Sequence, residues 1–183
     1  MTPDEVLEQL AHQFGDGLGE TEVKGAEVRL TTTPDNGWAV CRRLRELGFE
    51  YLNCLSGVDW TTHLEVVYNL SSLQHTNKIH LRVKVNRDAP ALRTVSDLWP
   101  AANWHERECF DLFGIRFEGH PDHRRILLPE DWIGYPLRKD YADERLVPYT
   151  DYGLEEKAAK TEAAKGGAKE AKAAPPKPAA PTA

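Results

Sequence analysis

Residues 64–85, LEVVYNLSSLQHTNKIHLRVKV, set the architecture of this chain. Apolar residues occupy every second position in residues 64–70 and again in residues 79–85, a period typical of β-strands with one buried face. The turn-rich residues 71–77 join the two runs, which predicts an antiparallel hairpin. The other positions of the second run are Lys78, His80, Arg82 and Lys84. We interpret these basic side chains as a solvated outer face of the sheet, in preference to a binding surface.

The residues before the hairpin predict two helices and two further strands. Thr2 and Glu5 fit a capping box at the start of a first helix, and a second helix is expected to open at Thr33. Strands are predicted at residues 27–31 and 49–58, whereas the glycine-rich residues 15–19 predict a turn. The order helix, strand, helix, strand, strand is typical of an α+β domain. We therefore expect a small, mainly antiparallel sheet with helices on one face.

A third helix is predicted after Pro100. Asn103 is a suitable N-cap, Glu106 three residues later completes a second capping box, and Gly114 ends the helix. At 100° per residue, Glu106 falls within the apolar sector of this helix. A buried carboxylate is costly unless it is paired, so we expect Glu106 to have a structural role, bound to an arginine or to backbone donors at the helix start.

The chain becomes irregular but stays apolar after the third helix. Prolines interrupt residues 118–154, yet this segment also contains tryptophan, tyrosine, leucine and isoleucine. Such a segment needs a surface to lie on, and we favour a partner over the chain's own domain. We predict three parts: an α+β domain at 1–117, an extended arm at 118–154, and a flexible tail rich in Ala, Lys and Pro at 155–183.

Composition argues against several classes of function. The formal net charge of −6 argues against nucleic-acid binding, which requires a basic surface. The sequence has no run of roughly 20 apolar residues, and its acidic start does not resemble a signal peptide, so a cytoplasmic location is expected. Cys41, Cys54 and Cys109 are too far apart for an iron–sulfur motif. Buried thiols are the favoured interpretation.

Candidate reactive groups have simpler structural explanations. His120 and His123 form an H-x-x-H pair, but hydrogen bonding in a loop is favoured over metal binding. Glu108 and Asp111 share a helix face, and Arg107 is placed for an ordinary ion pair with Asp111. Phosphate-loop, dinucleotide-binding and serine-nucleophile motifs are missing from the sequence. A scaffold is therefore favoured over a catalyst.

Residues 106–141, which we call the signature segment, read ERECFDLFGIRFEGHPDHRRILLPEDWIGYPLRKDY. This segment closely resembles the signature block of the 30 kDa subunit family of respiratory complex I. The matched positions are Glu106, Arg107, Glu108, Asp111, Leu112, Phe113, His120 and Arg124, followed by P-E-D-W at 129–132 and P-L-R-K-D-Y at 136–141. The resemblance extends more loosely over residues 35–145. Tyr135 stands where many members have His.

The resemblance implies a non-catalytic core subunit in the peripheral arm of a proton-translocating NADH-quinone oxidoreductase. It implies that the arm wraps the adjacent quinone-site subunit, near its iron–sulfur neighbours. The implied contact residues are Arg107, Glu108, Asp111, His120, Arg124, Arg125, Trp132, Tyr135, Arg138, Lys139, Asp140 and Tyr141. FMN and iron–sulfur clusters are expected in neighbouring subunits and none in this chain. Membrane contact, on the cytoplasmic side, is expected only through the complex.

Two alternatives remain open at this point. The first is the equivalent subunit of a membrane-bound hydrogenase or of a ferredoxin-driven relative, since the electron donor would be set by other subunits. The second is a stand-alone hydrolase or metal enzyme that uses Glu106, Glu108, Asp111 and His120.

Overall fold

The central sheet contains the antiparallel hairpin predicted above. A computed structural model describes residues 1–143, so the last part of the predicted arm and the whole predicted tail lie outside the described residues. Within residues 1–143, five strands form the sheet: β1 (Leu18–Lys24), β2 (Glu27–Thr32), β3 (Tyr51–Asp59), β4 (Leu64–Ser71) and β5 (Lys78–Val85). Their order across the sheet is β1-β2-β5-β4-β3.

The strand register confirms the mainly antiparallel sheet. In the β4–β5 hairpin, Leu64 lies opposite Val85 and Ser71 lies opposite Lys78. β1–β2 and β3–β4 are also antiparallel, whereas β2 and β5 run parallel. The parallel pair arises because the chain between β2 and β5 passes through a helix and the β3–β4 hairpin before it returns beside β2.

Three helices, α1 (Pro3–Phe14), α2 (Pro34–Glu46) and α3 (Ala102–Phe113), accompany the sheet. They cover one face, where the alternating apolar side chains of β4 and β5 are buried. Both hydrogen bonds of the predicted capping box at Thr2 are present. Cys41 and Cys109 are buried as predicted, whereas Cys54 is only half-buried. In the part of the chain described, none of the helices combines the length and apolarity that crossing a bilayer requires.

Several local predictions are wrong. The predicted turn at residues 15–19 is in part the start of β1, which sequence periodicity missed because this edge strand is almost entirely exposed and polar. Asn103 lies inside α3, whose N-cap is Ala101 without a side-chain hydrogen bond. A second, two-stranded parallel sheet pairs β6 (Ala91–Arg93) with β7 (Arg116–Glu118). Three-residue strands are too short to show a period.

The compact unit runs from Met1 to Ala142 and thus includes the first part of the predicted arm. Residues after β7 have no helix or strand up to residue 143, in line with the predicted irregularity. They are nevertheless ordered by hydrogen bonds to α3 and to the end of β3. These contacts define the candidate site.

Candidate functional site

Asp111 is the anchor of the signature segment. Its side chain is fully buried, and one carboxylate oxygen accepts hydrogen bonds from the backbone N–H groups of Ile126 (3.1 Å), Leu127 (2.7 Å) and Leu128 (2.9 Å). The other oxygen accepts from Arg125 Nη1 at 2.8 Å. Burial alone would raise the pKa of Asp111, but these four donors outweigh it and lower the pKa. Asp111 is therefore an ionised acceptor that holds the arm.

Arg107, one helical turn before Asp111, binds the residues just upstream in the arm. Its Nε donates to the carbonyl oxygen of Arg124 and its Nη2 to that of Arg125, both at 3.1 Å. The guanidinium also lies 3.4 Å from the Asp122 carboxylate and over the Trp104 ring. The predicted Arg107–Asp111 ion pair is wrong, because each side chain binds the arm backbone instead. One face of α3 thus holds the arm by its backbone. Arg107 donates to the carbonyl oxygens of residues 124 and 125, and Asp111 accepts from the N–H groups of residues 126–128.

Glu106 faces the opposite way, into the core. It is fully buried, and it accepts hydrogen bonds from the Thr94 hydroxyl and from the Val95 N–H at 2.7 Å. His120 Nε2 lies 3.8 Å away. Burial raises the pKa of Glu106 to about 7, although the two hydrogen bonds oppose this. Glu106 is buried as the helical pattern predicted. Its donors come from the segment before α3, and neither an arginine nor the helix start supplies them.

The two loop histidines make the predicted hydrogen bonds. His120 Nδ1 accepts from the Asp122 N–H, and its Nε2 donates to the Asn103 carbonyl at 3.1 Å. His123 Nε2 accepts from the Phe117 N–H at 3.0 Å. Burial lowers the pKa of His123, with a further contribution from the neighbouring His120. One nitrogen of each ring thus accepts a hydrogen bond from a backbone N–H group. Among residues 1–143, no group of three or more His, Cys, Asp or Glu is arranged to hold a metal.

A second anchor lies at the end of β3. The Asp59 carboxylate accepts from the Lys139 N–H (2.8 Å), the Thr61 N–H (2.6 Å) and the guanidinium of Arg87, which also pairs with Asp140. Burial would raise the pKa of Asp59, but these donors lower it to about 2. Sequence reasoning missed Asp59 and Arg87, because residues so far from the arm in sequence share no periodic pattern with it. A sequence signal for Asp59 existed in the quartet G-V-D-W, residues 57–60.

Between the two anchors, the arm packs on the C-terminal end of α3. Gly114 has φ 75°, and a Cβ there would lie 2.4 Å from the Tyr135 ring, so only glycine fits. Arg138 Nε donates to the Phe113 carbonyl at 2.7 Å, and its guanidinium lies over the Tyr135 ring. The Leu137 N–H donates to the Leu112 carbonyl. The carbonyls that α3 leaves unpaired at its end are thus used to bind the arm.

These contacts change the interpretation of the predicted contact residues. Asp111 and Arg107 are buried, and Arg125 and Arg138 donate hydrogen bonds within the chain, so these four residues hold the arm. Residues 118–141 thus pack on the chain's own domain, whereas the sequence pattern favours a partner as the surface for the arm. Trp132, Tyr135 and Tyr141 are half-buried. The remaining exposed members of the predicted set are Glu108, Arg124, Lys139 and Asp140.

The docked arm leaves an apolar surface outside. Leu127 is 61% exposed, Ile133 78% and Leu137 51%, and Trp104 of α3 is 62% exposed. We call these four side chains the arm surface. Three of the four come from the signature segment, and two of these have inward-pointing backbone N–H groups: the Leu127 N–H donates to Asp111, and the Leu137 N–H donates to the Leu112 carbonyl.

Comparison with known proteins agrees with the resemblance. The family model for the respiratory-chain NADH dehydrogenase 30 Kd subunit matches residues 30–145, and the chain belongs to this family. A NADH-quinone oxidoreductase subunit of Chloroherpeton thalassium is 41% identical over 151 residues, covering 76% of this chain and 63% of the relative. The corresponding subunit of Roseiflexus sp. strain RS-1 is 45% identical over 142 residues, covering 74% and 81%. The chain thus spans less than two thirds of the first of these relatives.

Solved structures show the same fold. A trypsin-resistant fragment of Nqo5, residues 1–134, is 32% identical with a TM-score of 0.56, covering 64% of this chain and 98% of the fragment. A chain of the membrane-bound sulfane sulfur reductase, an archaeal respiratory membrane complex, is 23% identical with a TM-score of 0.66, covering 86% and 91%. The second likeness concerns the fold alone.

Proposed function

We propose that this chain is a core subunit of the peripheral arm of a proton-translocating NADH-quinone oxidoreductase. In this role it has no catalytic site and supports the quinone-reducing module. One observation carries the proposal: Arg107 and Asp111 hold the arm in a fixed path that presents the arm surface to solvent. The relatives, which are named as subunits of NADH-quinone oxidoreductase, favour this assembly over a hydrogenase or a ferredoxin-driven complex.

The geometry also disfavours a stand-alone hydrolase. A general acid or base must reach its substrate. Glu106 and Asp111 are fully buried, and both oxygens of each carboxylate accept hydrogen bonds within the chain. His120 is also buried at its side chain and binds backbone groups through both ring nitrogens. In this proposal Arg107 and Asp111 position the arm, whereas Glu106 binds the segment before α3.

The partner is, in this proposal, the adjacent quinone-site subunit together with its iron–sulfur neighbours. Large exposed apolar side chains that form a patch are typical of a protein interface, and we infer that the arm surface is such a patch. Trp104 and its neighbours would supply apolar anchors, while Arg124, Lys139 and Asp140 would supply charged groups at the rim. The chain would then sit peripherally on the cytoplasmic side of the membrane, held there by the complex.

Purification of the tagged chain from its native cells tests the assembly directly. We expect NADH-quinone oxidoreductase subunits to co-purify in fixed stoichiometry, together with NADH-quinone activity. Recovery of the chain alone, or with hydrogenase subunits and no NADH-oxidising module, would overturn the proposal.

Substitution of the arm surface should separate assembly from folding. Ile133→Asp combined with Leu137→Asp should leave the melting temperature of the isolated chain nearly unchanged, because exposed substitutions usually alter stability by about 0.5 kcal/mol or less. Native gels should show loss of the assembled complex, and NADH-quinone activity should fall with it. Leu73→Asp, at a side chain 78% exposed in the β4–β5 turn, is the matched control. Equal assembly of the double variant and the control would contradict the proposed interface.

We further propose that the chain binds neither FMN nor an iron–sulfur cluster, since these belong to neighbouring subunits. The chain purified alone should show no visible absorption and no stoichiometric metal. Iron, zinc or flavin near one equivalent after mild purification would refute this prediction.

A further inference from the structure

The face of the sheet opposite the helices carries unpaired positive charge. Lys78, Arg82 and Lys84 project from β5, the central strand, and all three are exposed. Within residues 1–143, none of these three side chains has an ion pair or a hydrogen bond. His80, which lies between them, is bound to Asn69. Three cations in a row on a chain of net charge −6 form a distinct basic stripe.

Three acidic residues near this stripe already have partners within the chain. The Arg29 guanidinium of β2 forms ion pairs with the carboxylates of Glu22 at 3.3 Å and Glu27 at 3.7 Å. Glu65 of β4 is only 4% exposed, and it accepts a hydrogen bond from Trp60 Nε1 at 2.8 Å. Exposed Asp16 and Glu20 line the same surface depressions as Arg82 and Lys84, but within residues 1–143 they form no ion pair with them. The three cations of the stripe are therefore available to a group outside the chain.

Beside the stripe, the part of the same face formed by β3 and β4 carries short side chains and is partly apolar. Ser56, Val58 and Val67 are half-buried small side chains. Two aromatic side chains stand at the two ends of β3: Tyr51, 57% exposed, and Trp60, 48% exposed. Two neighbouring strands make a strip about 10 Å wide, which matches the diameter of an α-helix.

We propose that this open sheet face binds an acidic, amphipathic helix of another polypeptide in the complex. The helix would direct its carboxylates at Lys78, Arg82 and Lys84 and its apolar side at Val58 and Val67. This inference rests on the proposed function in that the partner belongs to the same assembly, but it concerns a surface separate from the arm. A short row of three cations is too small for a nucleic-acid footprint, and the partly apolar strip beside it suits packing against an amphipathic helix.

Photo-crosslinking in the native complex tests this proposal. Benzoylphenylalanine in place of Tyr51 puts the probe on the sheet face, in the cross-strand row of Ser71 and Lys78. The same probe at Leu137 reports on the arm surface. We expect the first probe to crosslink to a Glu/Asp-rich helical segment of a neighbouring subunit. If the Leu137 probe crosslinks and the Tyr51 probe gives no adduct, a self-adduct or a lipid adduct, this inference fails while the proposed function stands. If neither probe crosslinks to a subunit, the proposed function fails as well.

Charge variants give the second readout. Arg82→Gln with Lys84→Gln should lower the yield of the Tyr51 adduct by about fivefold, since each surface ion pair contributes roughly 0.5 kcal/mol, and two together change an equilibrium by about that factor. Arg42→Gln with Arg45→Gln, two exposed positions on α2, removes the same charge elsewhere and should leave the yield unchanged. Equal yields from the two double variants would overturn the proposal.

Discussion

Asp111→Ala is expected to lower the free energy of unfolding by about 4 kcal/mol, because it leaves Arg125 and three backbone N–H groups without their acceptor. Urea unfolding of the isolated chain measures this change. Glu108→Ala is the matched control, since Glu108 is exposed on the same helix and its carboxylate lies 4.0 Å from the His105 ring nitrogen Nδ1. The control should change stability by less than about 0.5 kcal/mol.

Asp111→Asn should have an intermediate effect. Asparagine keeps one acceptor oxygen but places an NH₂ group where the carboxylate now accepts, so part of the donor set loses its partner. The ionised Asp111 has a lowered pKa, so its stabilising contribution is present above the ordinary Asp range and is lost as the pH falls from that range through the lowered pKa of the folded chain. If Asp111→Ala unfolds at the same urea concentration as wild type, Asp111 does not hold the arm in the free chain.

The second large effect concerns pH and Glu106. Its pKa is about 7 in the folded chain and about 4.5 when unfolded, so the folded state binds the proton more tightly. The stability that Glu106 contributes is full below pH 4.5 and is lost as the pH rises through 7. Between pH 4.5 and 8, wild type should therefore lose about 3 kcal/mol relative to Glu106→Gln, which does not titrate.

The comparison with Glu106→Gln isolates this carboxyl from the other titrating groups. His123 has a lowered pKa, so it destabilises the folded chain as the pH falls, opposite in sign to Glu106. Asp59, with a pKa of about 2, contributes only at lower pH. Both act equally in wild type and variant and cancel in the difference. Parallel stability curves for the two proteins from pH 4.5 to 8 would contradict the raised pKa.

Sequence periodicity predicted the elements whose two faces differ. β4 and β5 alternate because one face packs against the helices and the other meets solvent. β1 escaped prediction because an exposed edge strand has no apolar alternation, and β6 and β7 because three residues cannot establish a period. The capping box at Thr2 was predictable because all its atoms are local in sequence. The predicted cap at Asn103 was wrong because α3 begins one residue before it.

The signature segment was recognisable from the sequence, but the partners of its charged residues were not. Spacing alone paired Arg107 with Asp111, whereas both bind a stretch of backbone more than ten residues away. No periodic pattern predicts the path of an irregular segment, and its prolines only indicate where regular structure ends. The burial of Glu106 was predictable because helical geometry fixes its direction. Its donors, Thr94 and Val95, lie before the helix, and their position depends on the packed fold.

Amide hydrogen exchange in the isolated chain shows whether the signature residues hold the arm on its own domain before any partner is present. The N–H groups of Ile126, Leu127 and Leu128 all donate to Asp111. If opening this contact costs about 4 kcal/mol, their exchange should be slowed roughly a thousandfold relative to an unfolded chain, and Asp111→Ala should remove the protection. Exchange of these three amides at the unfolded rate in the wild-type chain would contradict the docked arm, because the arm would then be ordered only by its partner.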